Sequence, residues 1–220
     1  YLLSAWSVLL AAPFALLTER ERETLGERFV DAYPLSALQA GMVFHTQLEQ
    51  FNGIYHDIMA DHVPCPSDQT AFEQALASCV AEHPVLRTRF LLDGERPLQG
   101  VVAQTDLPLF VEDLRGQSAS EQDATLAQWT ETRKRHVFDW VNGPLWAIHI
   151  FRRTDDSFEF VVSFHHAVLD GWSRAALTTE LYNRYVQCLD GATLATPEPN
   201  WTYRRFIAQE QQVLADPAAR

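Results

Sequence analysis

A continuous apolar run leads directly into two adjacent histidines, and this junction constrains the fold more than any other stretch of the chain. Residues 158–164 (Phe-Glu-Phe-Val-Val-Ser-Phe) are rich in aromatic and β-branched side chains, which is typical of a buried strand. His165 and His166 follow, and then the turn-forming sequence Ala-Val-Leu-Asp-Gly. From Trp172 to Leu189, apolar residues recur at helical spacing. The sequence therefore predicts a strand, a histidine-bearing loop and a helix in succession.

This arrangement of histidines is suited to presenting one oriented base. Successive side chains of a strand point to opposite faces, so one histidine can face a cleft while its neighbour is held inside the protein. A bare His-His pair is commonly structural, but the full pattern His-His-x-x-x-Asp-Gly between a strand and a helix favours catalysis. Asp170 is short and tied to the turn, so we expect it to form an ion pair that stabilises the loop, with Arg87 as its partner.

Composition and charge exclude several classes of protein. The 220 residues are 47% hydrophobic, enough for one large domain with a substantial core. The net charge of -12 argues against a nucleic-acid partner, because such proteins need a basic surface. The cysteines (Cys65, Cys79 and Cys188) lack metal-binding or disulfide spacing, which is typical of the cytoplasm. We expect no metal site, because adjacent strand histidines diverge, and no nucleotide cofactor, because a glycine-rich phosphate loop is absent.

The N-terminal segment is uncharged over residues 1–18 and approaches the length of a membrane span. Pro13 interrupts it and no positive charge precedes it, so we expect a linker or a packing helix instead. The chain begins with Tyr rather than Met, and we expect it to be part of a longer protein. The predicted division is a linker or N-terminal helical segment over residues 1–28 and a single lobe over residues 29–220.

Local signals predict a mixed sheet flanked by helices. Thr18 with Glu21, and Ser36 with Gln39, have the spacing of capping boxes. Asp68 can cap a further helix that ends before proline. The predicted strands are residues 55–63, 86–92, 98–103, 145–151 and 158–164, and the predicted helices are residues 18–27, 37–48, 69–83, 121–136, 172–189 and 203–214.

Four segments together resemble a known family. They are residues 33–45, 82–90, 138–145 and 165–173, and they occur in the order and at the spacing of that family. On these segments the chain resembles the N-terminal half of a condensation domain of non-ribosomal peptide synthetases, which has the chloramphenicol-acetyltransferase-like fold. It departs from the family at Glu82, where members often carry Arg. A complete condensation domain is about twice as long, so the C-terminal lobe is expected to be absent.

The resemblance implies an α/β lobe and a role for each residue of the histidine motif. His166 is the candidate catalytic residue, acting as a general base or positioning the amine, and His165 is structural. Gly171 lets the backbone approach the substrate and its N–H is a candidate oxyanion donor, with a plain turn glycine as the alternative. Trp172 and Ser173 cap and pack the start of the helix, with contact to the substrate channel as the alternative.

The activity that the resemblance implies is amide-bond formation. An acyl or peptidyl thioester on an upstream carrier domain would be attacked by the amine of an aminoacyl group on a downstream carrier. The lobe itself would bind no cofactor, because the substrates arrive on phosphopantetheine arms. The implied partners are both carriers, the missing lobe and an adenylation domain, without a membrane or nucleic acid, and the isolated lobe is expected to be inactive.

Two alternatives remain open at the level of sequence. A stand-alone acyltransferase that uses acyl-CoA would also carry the histidine motif. Such enzymes place the motif nearer their C-terminus, whereas 49 residues follow Gly171 here. The second alternative is a non-catalytic lobe that docks carrier domains.

Overall fold

The computed structural model describes residues 12–48, 53–195 and 203–216. The predicted linker or helix at the N-terminus lies largely outside these residues, and its described part, residues 12–18, forms turns. No helix in the described part of the chain has the length and apolar character needed to cross a lipid bilayer.

The helices and strands follow the predicted order closely. They are α1 (Glu19–Leu25), β1 (Phe29–Pro34), α2 (Ala37–Leu48), β2 (His56–Val63), α3 (Gln69–Glu82), β3 (Thr88–Leu91), β4 (Leu98–Val102), β5 (Leu109–Asp113), α4 (Ala119–Arg133), β6 (Trp146–Thr154), β7 (Ser157–His165), α5 (Gly171–Leu189) and α6 (Tyr203–Ala215). Short 3-10 helices occupy Gly26–Arg28 and Pro84–Arg87. The capping boxes at Thr18 and Ser36 both form, because each hydroxyl accepts from the backbone N–H three residues later.

A four-stranded mixed sheet with the order β2-β7-β6-β5 forms the centre of the molecule. Its β6–β7 hairpin is antiparallel, as predicted, and β5 runs parallel to β6. Eight of the nine residues of β7 are buried, because helices cover both faces of the sheet. On one face Phe72 of α3 stacks on Tyr185 of α5 at 3.9 Å between ring centroids. On the other face Trp129 of α4 packs edge-on against Phe151.

A second, three-stranded antiparallel sheet with the order β1-β4-β3 lies beside the first. Ile207 of α6 is fully buried against Tyr33 of β1 and Val101 of β4. Arg204 of α6 forms a buried ion pair with Asp31 of β1. The predicted fold class, a mixed sheet flanked by helices, is confirmed, and the strands are divided between two sheets.

Two local predictions differ from the structure. The strand predicted over residues 86–92 begins only at Thr88, because Pro84 opens a 3-10 turn in which the Leu86 N–H donates to the His83 carbonyl. Strand β5 has no counterpart among the predicted strands. It is five residues long and ends in two acidic residues, so it lacks a strand-like pattern and is stabilised by its pairing with β6.

Candidate active site

The histidine motif lies where β7 ends and α5 begins. His165 is the last residue of β7 and is paired across the sheet with His56 of β2. A short loop follows, and α5 starts at Gly171 with Asp170 as its N-cap. The predicted strand, loop and helix are thus all present, and they place the two histidines in different surroundings.

His165 is completely buried. Its Nδ1 accepts a hydrogen bond from the Ala167 N–H at 3.1 Å, so Nε2 carries the proton of the neutral ring. That nitrogen lies 2.9 Å from Oγ1 of Thr46, which in turn donates to the Met42 carbonyl. Burial, with a smaller contribution from neighbouring histidines, lowers the pKa of His165 to about 3. The ring is therefore neutral and immobilised.

His166 is only partly buried, with 34% of its side chain exposed. Its backbone N–H donates to the Tyr55 carbonyl at 2.7 Å. Its Nδ1 lies 2.6 Å from Oδ2 of Asp57 on β2. A carboxylate can only accept, so the hydrogen of the neutral ring is on Nδ1 and Nε2 holds the lone pair. This tautomer is the one that a general base needs at Nε2.

His166 lines a cavity of about 300 Å³. The cavity lies between α2, β1, β4, the histidine loop and α6, and its walls are mainly apolar or aromatic: Tyr33, Leu38, Met42, Val168, Leu169 and Tyr203. Asp57 contacts the ring from outside these walls, on the β2 side. An imidazole with one nitrogen held by a carboxylate at the edge of an apolar cavity can accept a proton from a bound amine.

The loop that follows His166 is held by two buried glutamines. Nε2 of Gln39 donates to the Ala167 carbonyl at 2.9 Å. Nε2 of Gln99 donates to Oε1 of Gln39 at 2.8 Å and to the Pro34 carbonyl at 3.0 Å. The sequence predicted Gln39 as part of a capping box but contained no signal for its contact with the loop, because that contact joins residues 128 positions apart.

The expected ion pair between Asp170 and Arg87 does not form among the described residues. Asp170 caps α5 by accepting from the Ser173 N–H at 2.7 Å, and this hydrogen bond lowers its pKa. Arg87 donates instead to the backbone carbonyls of Val80 and Val102, at 2.9 and 2.7 Å. The prediction is wrong because the 3-10 turn after α3 directs Arg87 toward the end of β4 rather than toward the histidine loop.

Trp172 is 88% exposed, so the prediction that it packs at the start of the helix is wrong for the described chain. The buried stripe of α5 contains Leu181 and Tyr185. At about 100° per residue, nine residues separate Trp172 from Leu181 by half a turn, which turns the indole away from the core. Ser173 lies at the edge of the His166 cavity, and Trp172 does not line it.

Gly171 begins the first turn of α5, where the helix itself offers no acceptor for its N–H. A Cβ at this position would meet no atom within 4 Å. Contacts within the described chain therefore do not require glycine at this position.

Glu82, the departure from the family pattern, lies in a charged cluster between α3 and α5. The guanidinium of Arg184 contacts the carboxylates of both Glu82 and Glu180. His83 is 2.9 Å from the second oxygen of Glu180. These two acids and the histidine have the donor types of a metal site, but Arg184 already neutralises the carboxylates. The cluster joins the two helices that cover the sheet.

Sequence reasoning missed Asp57 and Thr46, which contact the two histidine rings. Asp57 lies within a predicted strand, where an acidic residue on one face is a weak indication of a polar neighbour. The partner of that strand could not be predicted, because the antiparallel pairing of β2 with β7 connects distant parts of the chain.

Comparison with known proteins identifies the family. The profile of the family described as condensation domain matches residues 30–219. This chain belongs to the condensation domain family. The match includes the histidine motif and the elements that form the cavity beside it.

The relatives of this condensation-domain chain are long synthetases. It is 33% identical to the AMB antimetabolite synthetase AmbE of Pseudomonas aeruginosa over 94% of this chain and 10% of that protein. It is 31% identical to a linear gramicidin synthase protein of Brevibacillus parabrevis over 93% of this chain and 4% of that protein. The chain therefore spans about a tenth or less of the length of these relatives.

Solved condensation domains share the fold. The starter condensation domain of the rhizomide synthetase RzmA matches with a TM-score of 0.73 at 19% identity, over 84% of this chain and 46% of that one. The first condensation domain of the calcium-dependent antibiotic synthetase matches with a TM-score of 0.74 at 23% identity, over 86% and 46%. The chain thus corresponds to slightly less than half of each.

Proposed function

We propose that this chain contributes the base of an amide-forming reaction between two carrier-bound substrates. The donor is an acyl or peptidyl thioester, and the acceptor is the amine of an aminoacyl thioester. One observation carries this assignment: Asp57 occupies Nδ1 of His166, which leaves Nε2 as the proton acceptor of a ring that lines an apolar cavity. Membership of the condensation domain family supports the reaction class.

The proposed reaction has a simple balance of bonds and protons. The acceptor nitrogen attacks the thioester carbonyl, so a C–N bond forms and the C–S bond breaks. Nε2 of His166 takes the proton that the amine loses, and the same proton can then pass to the departing thiolate. A positioned general base of this kind contributes roughly 100- to 10,000-fold to the rate.

The partners follow from this chemistry. Both substrates are delivered on phosphopantetheine arms, so the lobe acts with an upstream and a downstream carrier domain and itself holds no cofactor. The cavity at His166 is built by one lobe, and the C-terminal lobe supplies its other wall. We therefore propose that the isolated lobe is inactive, and that an adenylation domain of the same cytoplasmic assembly line loads the acceptor.

The test is His166→Ala in the complete synthetase, with the donor carrier and the acceptor carrier both loaded. We expect the rate of dipeptide formation to fall by at least roughly 100-fold, because the proton acceptor is lost. Circular dichroism should be unchanged, because the ring is only partly buried. His45→Ala is the matched control, since His45 is an exposed histidine on the neighbouring helix α2.

Product that accumulates on the acceptor carrier at the wild-type rate in His166→Ala would refute the assignment of the base. Replacing the donor carrier by free acyl-CoA distinguishes the second enzymatic possibility. Equal rates with both donors would mean that the chain serves a CoA-dependent acyltransferase instead. Carrier binding without turnover in the wild-type protein would indicate a docking lobe.

A further inference from the structure

We propose that Asp57 is a positioning residue for His166, because its carboxylate holds the ring in the tautomer that leaves Nε2 free to accept a proton. The catalytic consequence of this assignment rests on the function proposed above. The geometric part stands by itself, on the contacts between β2 and the end of β7.

Strand β2 holds His166 at two points. At its entry, the Tyr55 carbonyl accepts the backbone N–H of His166 at 2.7 Å. Two residues later, Oδ2 of Asp57 lies 2.6 Å from Nδ1 of the ring. The first contact locates the backbone and the second sets the rotation of the imidazole about its side-chain bonds. Together they define the direction in which Nε2 points.

The register of the sheet explains why this carboxylate reaches the ring. His56 pairs with His165, and Asp57 is the next residue on β2, so its side chain emerges on the opposite face. That face is also the one from which Asp61 extends to Arg174 at the start of α5. Both acids therefore project from the same side of β2, and each is matched to a different donor.

Asp170 is the other acid near the ring, and it is engaged elsewhere. Its side chain accepts from the Ser173 N–H at the N-terminus of α5, and it lines the same cavity as His166. It therefore contributes negative charge on the cavity side, whereas Asp57 makes the direct hydrogen bond on the β2 side. Fixing the tautomer falls to Asp57 because the hydrogen bond to one ring nitrogen determines where the proton resides.

Asp57 also favours the protonated ring formed during the reaction. When Nε2 takes a proton, the ring becomes a cation, and the carboxylate at 2.6 Å stabilises it through a charge-assisted hydrogen bond. The same carboxylate then keeps the ring oriented while the proton moves on. These two effects act through His166, and Asp57 itself need not touch the substrate.

The direct test is the tautomer of His166, read by ¹⁵N-detected NMR of histidine-labelled protein. We expect the wild-type ring to carry its hydrogen on Nδ1. In Asp57→Ala the Nδ1 contact is gone, and we expect the hydrogen to redistribute to Nε2. Asp61→Asn is the matched control, because it removes a like charge from the same face of the same strand without touching His166.

The second readout is the steady-state rate in the complete synthetase. We expect Asp57→Ala to lower kcat on the order of 100-fold with little change in KM, because a misdirected base affects the chemical step rather than carrier binding. Asp57→Glu should restore part of that loss, since it keeps a carboxylate acceptor. A side chain that only supports the fold would not show this rescue together with the change in tautomer.

Each outcome decides the matter. An Asp57→Ala spectrum with the wild-type tautomer overturns the positioning role, even when His166→Ala is inactive. A changed tautomer with undiminished kcat also overturns it. When His166→Ala retains full activity as well, the failure belongs to the proposed function rather than to the assignment of Asp57.

Discussion

At the scale of single residues, the two adjacent histidines differ because of what surrounds each ring. His165 is enclosed by Trp140, with ring centroids 4.7 Å apart, and its Nε2 hydrogen points to Thr46. His166 meets a carboxylate on one nitrogen and a cavity beside it. The same imidazole therefore serves as a neutral packing group in one position and is available as a base in the next.

The buried glutamine pair offers a prediction at the same scale. Gln99→Leu leaves the Pro34 carbonyl and an amide group of Gln39 without a partner, and the loss of a buried hydrogen-bond partner costs about 1–3 kcal/mol. We expect Gln39→Leu to be destabilising to a similar degree. The double variant should be less destabilised than the sum of the two, because each single change leaves the other amide unpaired.

Urea denaturation of the four proteins measures this coupling. Strict additivity of the two free-energy changes would contradict the paired arrangement. Dipeptide formation by Gln39→Leu should also fall, since the Ala167 carbonyl next to His166 would lose its donor.

At the scale of helices and strands, Asp170 and Arg87 stabilise different junctions. Asp170 caps α5, whereas Arg87 connects the C-terminal end of α3 to the end of β4. Asp170→Ala should therefore cost about 1 kcal/mol, as expected for loss of an N-cap, and Asp170→Asn should cost little because asparagine also caps. Loss of a buried ion-pair partner would cost roughly 3–5 kcal/mol.

A double-mutant cycle separates the two descriptions. We expect Arg87→Ala and Asp170→Ala to be additive to within about 0.5 kcal/mol in the free energy of unfolding, because the residues share no contact. A coupling well above about 1 kcal/mol would mean that the residues form the ion pair that sequence reasoning expected.

At the scale of the whole molecule, buried histidines make the fold sensitive to acid. Burial, and next the charge of Arg133, lower the pKa of His56 and of His149 to about 4. Burial likewise lowers the pKa of His136 below its usual value. The unfolded chain binds protons at these rings below a pH of about 6.5, whereas the folded chain does not. Stability is therefore complete above that pH and is lost as the pH falls toward 4.

His149 is the best position at which to measure this effect. Its ring lies between Phe110 and Trp129, with centroids 4.7 and 4.5 Å away, and its buried Nε2 has no partner among the described residues. His149→Phe keeps the aromatic packing and removes the titration. Between pH values of about 6.5 and 4, we expect the variant's loss of stability to be smaller by up to about 1.4 kcal/mol per pH unit.

Urea denaturation at a series of pH values gives the slopes. The exposed His45 is the control, and His45→Ala should retain the wild-type slope. An unchanged slope in His149→Phe would show that this ring is already protonated in the folded protein.

Much of the architecture was predictable because its signals are local. Capping boxes at Thr18 and Ser36, the β6–β7 hairpin and the change from strand to helix around the histidines each depend on residues that are close together in the chain. The existence of β5 was not predictable, since its pattern is weak and it forms only by pairing with β6.

The amino-acid sequence by itself determined the fold class, the position of the histidine motif and the family to which the chain belongs, because these depend on periodicity, capping and ordered motifs. Tertiary structure decided which groups meet at the motif. Asp57 reaches His166 across 109 positions, and Gln39 reaches Ala167 across 128. Such pairs are set by strand register and helix packing, which no local pattern encodes, and they assign the two histidines their different chemistry.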